Sequence, residues 1–368
     1  MNKRIYLSPP DLTGNELAYV QDAIASNWVT SVGPYLQELA IDLKKKTGSN
    51  FVLPVNSGTS AIHLALMALQ VEKGDIVFCP TFTFAATVFP VCYQNATPIF
   101  IDSEEATWNM DPILLEQAIV DALQQNKKPK AIIVAHIYGF PAQIEKICKI
   151  AQTYKLEVIE DAAEALGSTY NNQHVGSFSA VGLVSFNGNK ITTGGNGGAL
   201  FTDDVVLYDR MNRLSNQAKE DKPYYEHAEV GYNYRMCNVN AAIVRAQIEQ
   251  LDLKIAKKKV IRAWYKKHLA GIVAIKHSLI GTDNAWLTCI CLPKNIHPEK
   301  IINALERNGI ESRRLWNPMH QQPVFKDAVF YSSGVSDSIF NQGVCLPSGT
   351  SLNEEDIVHI VAIIKQSL

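Results

Sequence analysis

The sequence has no apolar run near the roughly 20 residues needed to span a bilayer, so no membrane-spanning segment is expected. Its first residues include two basic side chains but no apolar stretch after them, which excludes a secretory signal of the usual pattern and makes a reducing cytoplasm the expected location. Charge is nearly balanced, at −2, so nothing asks for nucleic acid or an anionic membrane as a partner. Seven cysteines, an odd number, include one close pair, Cys289-x-Cys291, and nine histidines show no paired ligand spacing. Neither a disulfide framework nor a metal site is expected. Two enzyme classes lack their motifs as well. The turn at 56–60, after the first strand, holds one glycine where a dinucleotide turn needs several. The Gly-x-Ser-x-Gly of a serine hydrolase is absent.

What the sequence does hold is 47% apolar residues over 368 positions, enough for one large and one smaller domain. Short apolar runs at 51–55, 76–79, 98–101, 131–135, 157–159, 182–186 and 199–202 read as strands. Helical patterns lie between several of them. In 111–123, Asp111 caps, Pro112 takes the first turn, and Leu114, Leu115, Ala118, Ile119 and Ala122 make one apolar stripe. This alternation predicts an α/β fold with a largely parallel sheet covered on both faces. Thr13 and Glu16 have capping-box spacing ahead of a first helix. A long helix from Met236 to about Ala263 leads into a smaller α/β domain, and a last helix starts at Asn353. The expected division is 1–250 for the large domain, with its N-terminal segment, and 251–368 for the small one.

Chemistry is concentrated in three blocks. Val158-Ile159-Glu160-Asp161 is an apolar strand ending in two carboxylates, and open α/β sheets hold their ligands at strand C-terminal ends. Lys190 follows the strand at 182–186, 29 residues after Asp161, which leaves room for the two to reach one cleft from neighbouring strands. Burial lowers a lysine's pKa and makes its amine a nucleophile for a carbonyl. Asn56-Ser57-Gly58-Thr59-Ser60 joins a strand to an apolar helix, and such a helix start, with free N–H groups and hydroxyls, is an anion site. Ser185 adds a hydroxyl, and Phe84 is a candidate to stack on a flat ring. A basic and aromatic cluster, Arg313, Arg314, Trp316 and His320, suits a nucleotide diphosphate.

These blocks resemble the DegT/DnrJ/EryC1/StrS family of pyridoxal-phosphate-dependent sugar aminotransferases. The likeness runs nearly the whole chain, through Ser8-Pro9-Pro10, Ser57-Gly58-Thr59, Glu160 to Gly167, Ser185 to Lys190, Gly231-Tyr232-Asn233-Tyr234-Arg235-Met236 and Leu346-Pro347-Ser348-Gly349. Ser185 to Lys190, Tyr225-Glu226-His227 and Arg314-Leu315-Trp316 with Met319-His320 look most like the bacillosamine branch, which aminates a UDP-linked sugar for bacterial glycans. The resemblance implies an aspartate aminotransferase-like fold and a homodimer with shared active sites. Lys190 would bind pyridoxal 5'-phosphate covalently and then shuttle protons, Asp161 would face the ring nitrogen, and Glu164 would lie near the ring. Gly58, Thr59 and Ser185 would hold the phosphate, joined by Asn233 from the second subunit. Asn27, Trp28 and Thr30 would approach the sugar. Asn196 stands where many relatives have glutamate. A dehydrating branch of the family has histidine in place of the lysine, so Lys190 argues for transamination. The implied reaction takes nitrogen from L-glutamate and places it on carbon 4 of a UDP-linked 6-deoxy N-acetyl keto hexose. The alternatives are amination at carbon 3 of a UDP- or dTDP-linked keto sugar, another reaction of the same cofactor, or a cofactor-binding regulator without turnover.

Overall fold

The computed structural model describes residues 4–368. In chain order the strands begin with β1 (Phe51–Val55), β2 (Asp75–Pro80), β3 (Thr97–Ile101), β4 (Lys128–Ala135) and β5 (Glu157–Asp161). A hairpin follows, β6 (Thr169–Tyr170) and β7 (Gln173–His174), then β8 (Val181–Ser185) and β9 (Gly198–Thr202). The last are β10 (Ala274–Ile275), β11 (Thr288–Cys291), β12 (Arg313–Arg314), β13 (Phe330–Tyr331) and β14 (Gly343–Leu346). One sheet has eight strands in the order β1-β9-β8-β5-β4-β2-β3-β13, and a second has four, β10-β11-β14-β12. In the large sheet β13, β3, β2, β4, β5 and β8 are parallel, while β9 runs antiparallel between β8 and β1.

The central strands are near-continuous Val, Ile and Phe because both their faces are covered, as parallel sheets require. Successive side chains point to opposite faces. Val77, Cys79, Ala131 and Ile133 therefore pack under the helix Gly58–Ala68, together with Ile62 and Leu66. Ile76, Phe78, Ile132 and Val134 meet the helices Pro112–Gln124 and Ile144–Tyr154 through Leu115, Ile119 and Ile147. A separate core holds Ile290, Val344, Ile301, Ile357 and Ile360 beside the second sheet.

All seven expected strands are present, with ends moved by up to three residues. Two expectations are corrected. The long helix after Met236 is two helices, Asn238–Glu249 and Leu251–His268, separated at Gln250 (φ −97°, ψ 0°). The first half buries Ala241, Val244 and Ile248 in the large core, and the second buries Ile261 and Tyr265 in the small one, so the break re-aims the chain between them. The first helix, Glu16–Ala25, has Asn15 rather than Thr13 at its N-cap. Thr13 Oγ1 donates to Asp11 Oδ1 instead (2.8 Å), and Glu16 Oε2 accepts from Gly14 N (2.9 Å). β13, from beyond residue 250, pairs with β3 of the large sheet; two residues are too few for a strand period to show in sequence. The closing helix, Glu354–Ser367, starts with a full capping box between Asn353 and Asp356. No helix of the described residues is long and apolar enough to cross a membrane.

Candidate active site

β1, β4, β5 and β8 all end at one edge of the large sheet, and there the loops enclose a cavity of about 390 Å³. Gly58, Thr59, Phe84, Asp161, Glu164, Ser185, Lys190, Arg313 and Trp316 all line it. Asp161 and Ser185 come from strand ends, Gly58 and Thr59 from a helix start, and Arg313 and Trp316 from the second sheet and the loop after it.

Glu160 and Asp161 are adjacent on β5 and face opposite ways. Glu160 is fully buried and accepts from Gly176 N (2.7 Å) and Phe178 N (2.8 Å), with His136 Nε2 at 3.0 Å. It ties the strand to the loop after the hairpin. Asp161 faces the cavity, where Oδ2 accepts from Thr87 Oγ1 (2.8 Å) and Oδ1 from Ala163 N (3.0 Å). Thr87 in turn contacts Thr83 Oγ1 at 2.7 Å. Thr87 was not among the residues expected in the site; it lies three residues after Phe84, but only the fold turns its hydroxyl toward Asp161.

Lys190 lines the same cavity, its side chain 11% exposed. Its Nζ donates to Glu164 Oε1 at 3.3 Å and stands 4.4 Å from the ring centroid of Trp286. Burial pushes the Glu164 carboxyl up from its ordinary value, against the pull of Lys190 and of the Tyr138 N–H. That N–H donates to Glu164 Oε2 at 2.6 Å. Tyr138 holds left-handed backbone angles (φ 52°, ψ 20°), rare for a bulky residue. Its ring lies between Trp286 and Trp316, stacked on each at 6.1 Å, and its hydroxyl accepts from Trp316 N at 3.0 Å. Phe84 meets Trp316 at 5.1 Å, half exposed at the cavity mouth. Sequence reading missed Tyr138 and Trp286, since neither carries a local signal.

The helix Gly58–Ala68 begins with Ser57 Oγ accepting from Ser60 N at 3.0 Å. The remaining N–H groups of the first turn have no intrahelical acceptor and point out of the helix start. A Cβ at Gly58 would lie 3.2 Å from Ser185 Cβ, so glycine keeps the cradle open toward Ser185. An anion cradle, a hydrogen-bonded carboxylate and a lysine amine around one cavity fit the groups of pyridoxal phosphate: phosphate, ring nitrogen and aldehyde.

Six expected residues do not line this cavity. His320 is engaged elsewhere: Nδ1 is 2.7 Å from Thr81 Oγ1, Nε2 is 3.1 Å from Asp337 Oδ1, and the ring stacks on Phe330 at 3.8 Å. It fastens the loop after Trp316 to the large sheet. Asn27, Trp28 and Thr30 follow the first helix; the Trp28 and Thr30 carbonyls accept from Asn238 Nδ2 (2.7 Å) and N (2.6 Å). The Asn233 carbonyl accepts from Asn56 Nδ2 at 3.2 Å, just below the cradle. Of the two adjacent arginines only Arg313 reaches the cavity wall, paired with Glu311 at 2.7 Å. Arg314 bonds Glu299 and lies over the Phe340 ring. The cysteines are all free, and the described residues contain no cluster able to hold a metal.

Known proteins resemble this chain along nearly its whole length. EpsN of Bacillus subtilis (strain 168), described as a pyridoxal phosphate-dependent aminotransferase, is 40% identical over 99% of this chain and 96% of its own length. GDP-perosamine synthase of Escherichia coli O157:H7 is 37% identical over 99% of this chain and 98% of its own. The crystal structure of a DegT DnrJ EryC1 StrS aminotransferase from Brucella abortus superposes with a TM-score of 0.90 at 28% identity, covering 96% of this chain and 95% of that one. The fold is thus aspartate aminotransferase-like. Residues 10–365 match the shared family as a whole, and the chain belongs to the DegT/DnrJ/EryC1/StrS aminotransferases.

Proposed function

We propose that this protein uses pyridoxal phosphate to move an amino group from L-glutamate to carbon 4 of a UDP-linked 2-acetamido-2,6-dideoxy-4-keto hexose, giving an amino sugar of the bacillosamine type for surface glycans. The observation that carries the reading is the convergence of Lys190, Asp161 and the helix start at Gly58 on one cavity.

When bound, the cofactor supplies an aldehyde that carries nitrogen and a ring that accepts electrons. The N–H groups and hydroxyls of Gly58, Thr59 and Ser185 would hold its phosphate, Asp161 would pair with its ring nitrogen, and Phe84 would pack against the ring. Thr87 keeps the Asp161 carboxylate aimed. Lys190 would be the covalent attachment point, and its Nζ would take up and return a proton. Glu164 holds that nitrogen in place. Arg313 pairs with a phosphate oxygen of the sugar nucleotide, and Trp316 walls the sugar.

The chain works as a homodimer in this reading. Trp28, Val29, Val32, Tyr224, Tyr225 and Val230 are exposed apolar or aromatic residues suited to burial between copies. A second copy brings its Asn233 to the phosphate and its Asn27, Trp28 and Thr30 to the sugar.

The test is a panel of UDP-, GDP- and dTDP-linked keto sugars, with the carbonyl at carbon 3 or 4, incubated with isotopically labelled glutamate. Mass spectrometry should find the label on carbon 4 of the UDP sugar over many turnovers. Label appearing only with another nucleotide or on carbon 3 overturns the substrate assignment. A protein that binds cofactor and labels no sugar of the panel overturns the proposed amination of these sugars.

A further inference from the structure

Lys190 sits at the end of a thinly held turn. Its own N donates to Asn187 O at 3.0 Å, Asn187 N reaches Ser185 Oγ only at 3.4 Å, and a Cβ at Gly188 would meet nothing within 4 Å. An amine that must leave the cofactor, move a proton and return needs to stay close while it is unattached. What holds it comes from the other sheet. The Trp286 indole Nε1 donates to Asn189 O, the carbonyl just before Lys190, at 2.8 Å, and Ser8 Oγ reaches the same oxygen at 3.1 Å. The face of the same indole lies 4.4 Å from Lys190 Nζ, inside the range of a cation–π contact.

Trp286 is itself fixed from every side. It is 1% exposed. Its backbone N donates to Asn284 Oδ1 at 3.0 Å, and Asn284 Nδ2 donates to the carbonyls of Glu164 (2.9 Å) and Leu166 (3.0 Å). One amide side chain thus sets the spacing between the indole and the carboxylate that share the lysine amine. The Trp286 carbonyl accepts from Lys258 Nζ at 3.1 Å, and the ring stacks on Tyr138.

We infer that Trp286 is a positioning residue for Lys190, holding the chain before it through Asn189 and its free amine between the indole face and Glu164. This rests on the proposed role of Lys190 as the cofactor's lysine. It also gives the second sheet a part in proton transfer, because Trp286 lies two residues before β11. Charge attraction to the ring and the hydrogen bond to the main chain are separable, since phenylalanine keeps a ring face without the N–H.

The experiment compares wild type with Trp286→Phe and Trp286→Leu. First, the cofactor-free protein is exposed to an amine-acylating reagent, and modification is followed peptide by peptide. Lys190 should react about tenfold faster in Trp286→Leu, with an intermediate rate in Trp286→Phe, while the exposed lysines keep their rates. Second, the loaded enzymes should show kcat lowered about tenfold in Trp286→Leu with KM for the sugar nucleotide unchanged, because the contact is to the lysine and not to substrate. Equal Lys190 acylation in wild type and the soluble, folded Trp286→Phe overturns the inference, as does a defect confined to KM. Borohydride trapping separates it from the reading beneath. Wild type with no cofactor trapped on Lys190 sinks the role of the lysine; wild type trapped there, with variants that behave like it, sinks only the role of Trp286.

Discussion

Under the Trp286 carbonyl lies Lys258, a lysine buried to 4% exposure that donates to Trp286 O (3.1 Å) and Ser348 O (2.7 Å). No carboxylate pairs with it among the described residues. Burial, helped by the like charge of Lys254 and opposed by Asp11, brings its amine down from the ordinary 10.5 to about 7. Between those values the unfolded chain carries a proton that the folded chain has released, so stability rises with pH by about 1.4 kcal/mol per unit. The gain is present in full above 10.5 and is lost as pH falls toward 7. Over the whole window it amounts to roughly 5 kcal/mol. Lys258→Met removes the titration. It also leaves two buried carbonyls short of a donor, at about 1–3 kcal/mol each, but that cost does not depend on pH. The assay is urea unfolding of both proteins at pH 7, 8 and 9 and one fixed protein concentration. Groups that do not interact with Lys258 titrate alike in the two proteins and cancel in the difference. Wild type should gain about 2–3 kcal/mol on the variant from pH 7 to 9. A difference that stays flat would mean that the ammonium keeps its charge against the two carbonyls, and would refute the burial argument.

Three other perturbations test the cavity itself. Thr87→Val removes the hydroxyl that donates to Asp161; a hydrogen bond to a charged group contributes about 1.5–3 kcal/mol, so kcat should fall about 10- to 100-fold in steady-state assays. Gly58→Ala puts a methyl group 3.2 Å from Ser185 Cβ, and equilibrium dialysis should show cofactor affinity down about tenfold with little change in melting temperature. A variant that binds normally would show that the cradle has room to spare. Glu164→Gln keeps an acceptor for Tyr138 N but drops the carboxyl that burial pushes up. The raised carboxyl favours the fold while protonated, so its contribution is present below its unfolded value and lost as pH rises through its folded one. In paired unfolding curves wild type should therefore lose ground to the variant as pH climbs from 4 toward neutrality.

The chain's own order of residues was enough for the layers. Runs such as Ile132-Ile133-Val134, short and β-branched, read as strands covered on both faces, and Asp111-Pro112 and Asn353 mark helix starts through groups within one turn. It also put Asp161 and Lys190 next to strand ends and Gly58 at a helix start, because those signals are local. Tertiary structure decided the rest. Nothing near Gln250 says that one apolar stripe must serve two cores, and nothing in Phe330-Tyr331 says which sheet it joins. His320 looks as suited to a phosphate as Arg313 until Thr81, Asp337 and Phe330 take up its ring. Trp286 reaches Lys190 from 96 residues away, and Tyr138 takes up its strained backbone between two tryptophans from segments flanking strands of the second sheet. Periodicity and capping act over a few residues and are written in the sequence. Which side chains meet across a cavity depends on how whole layers dock, and no stretch of the chain records that alone.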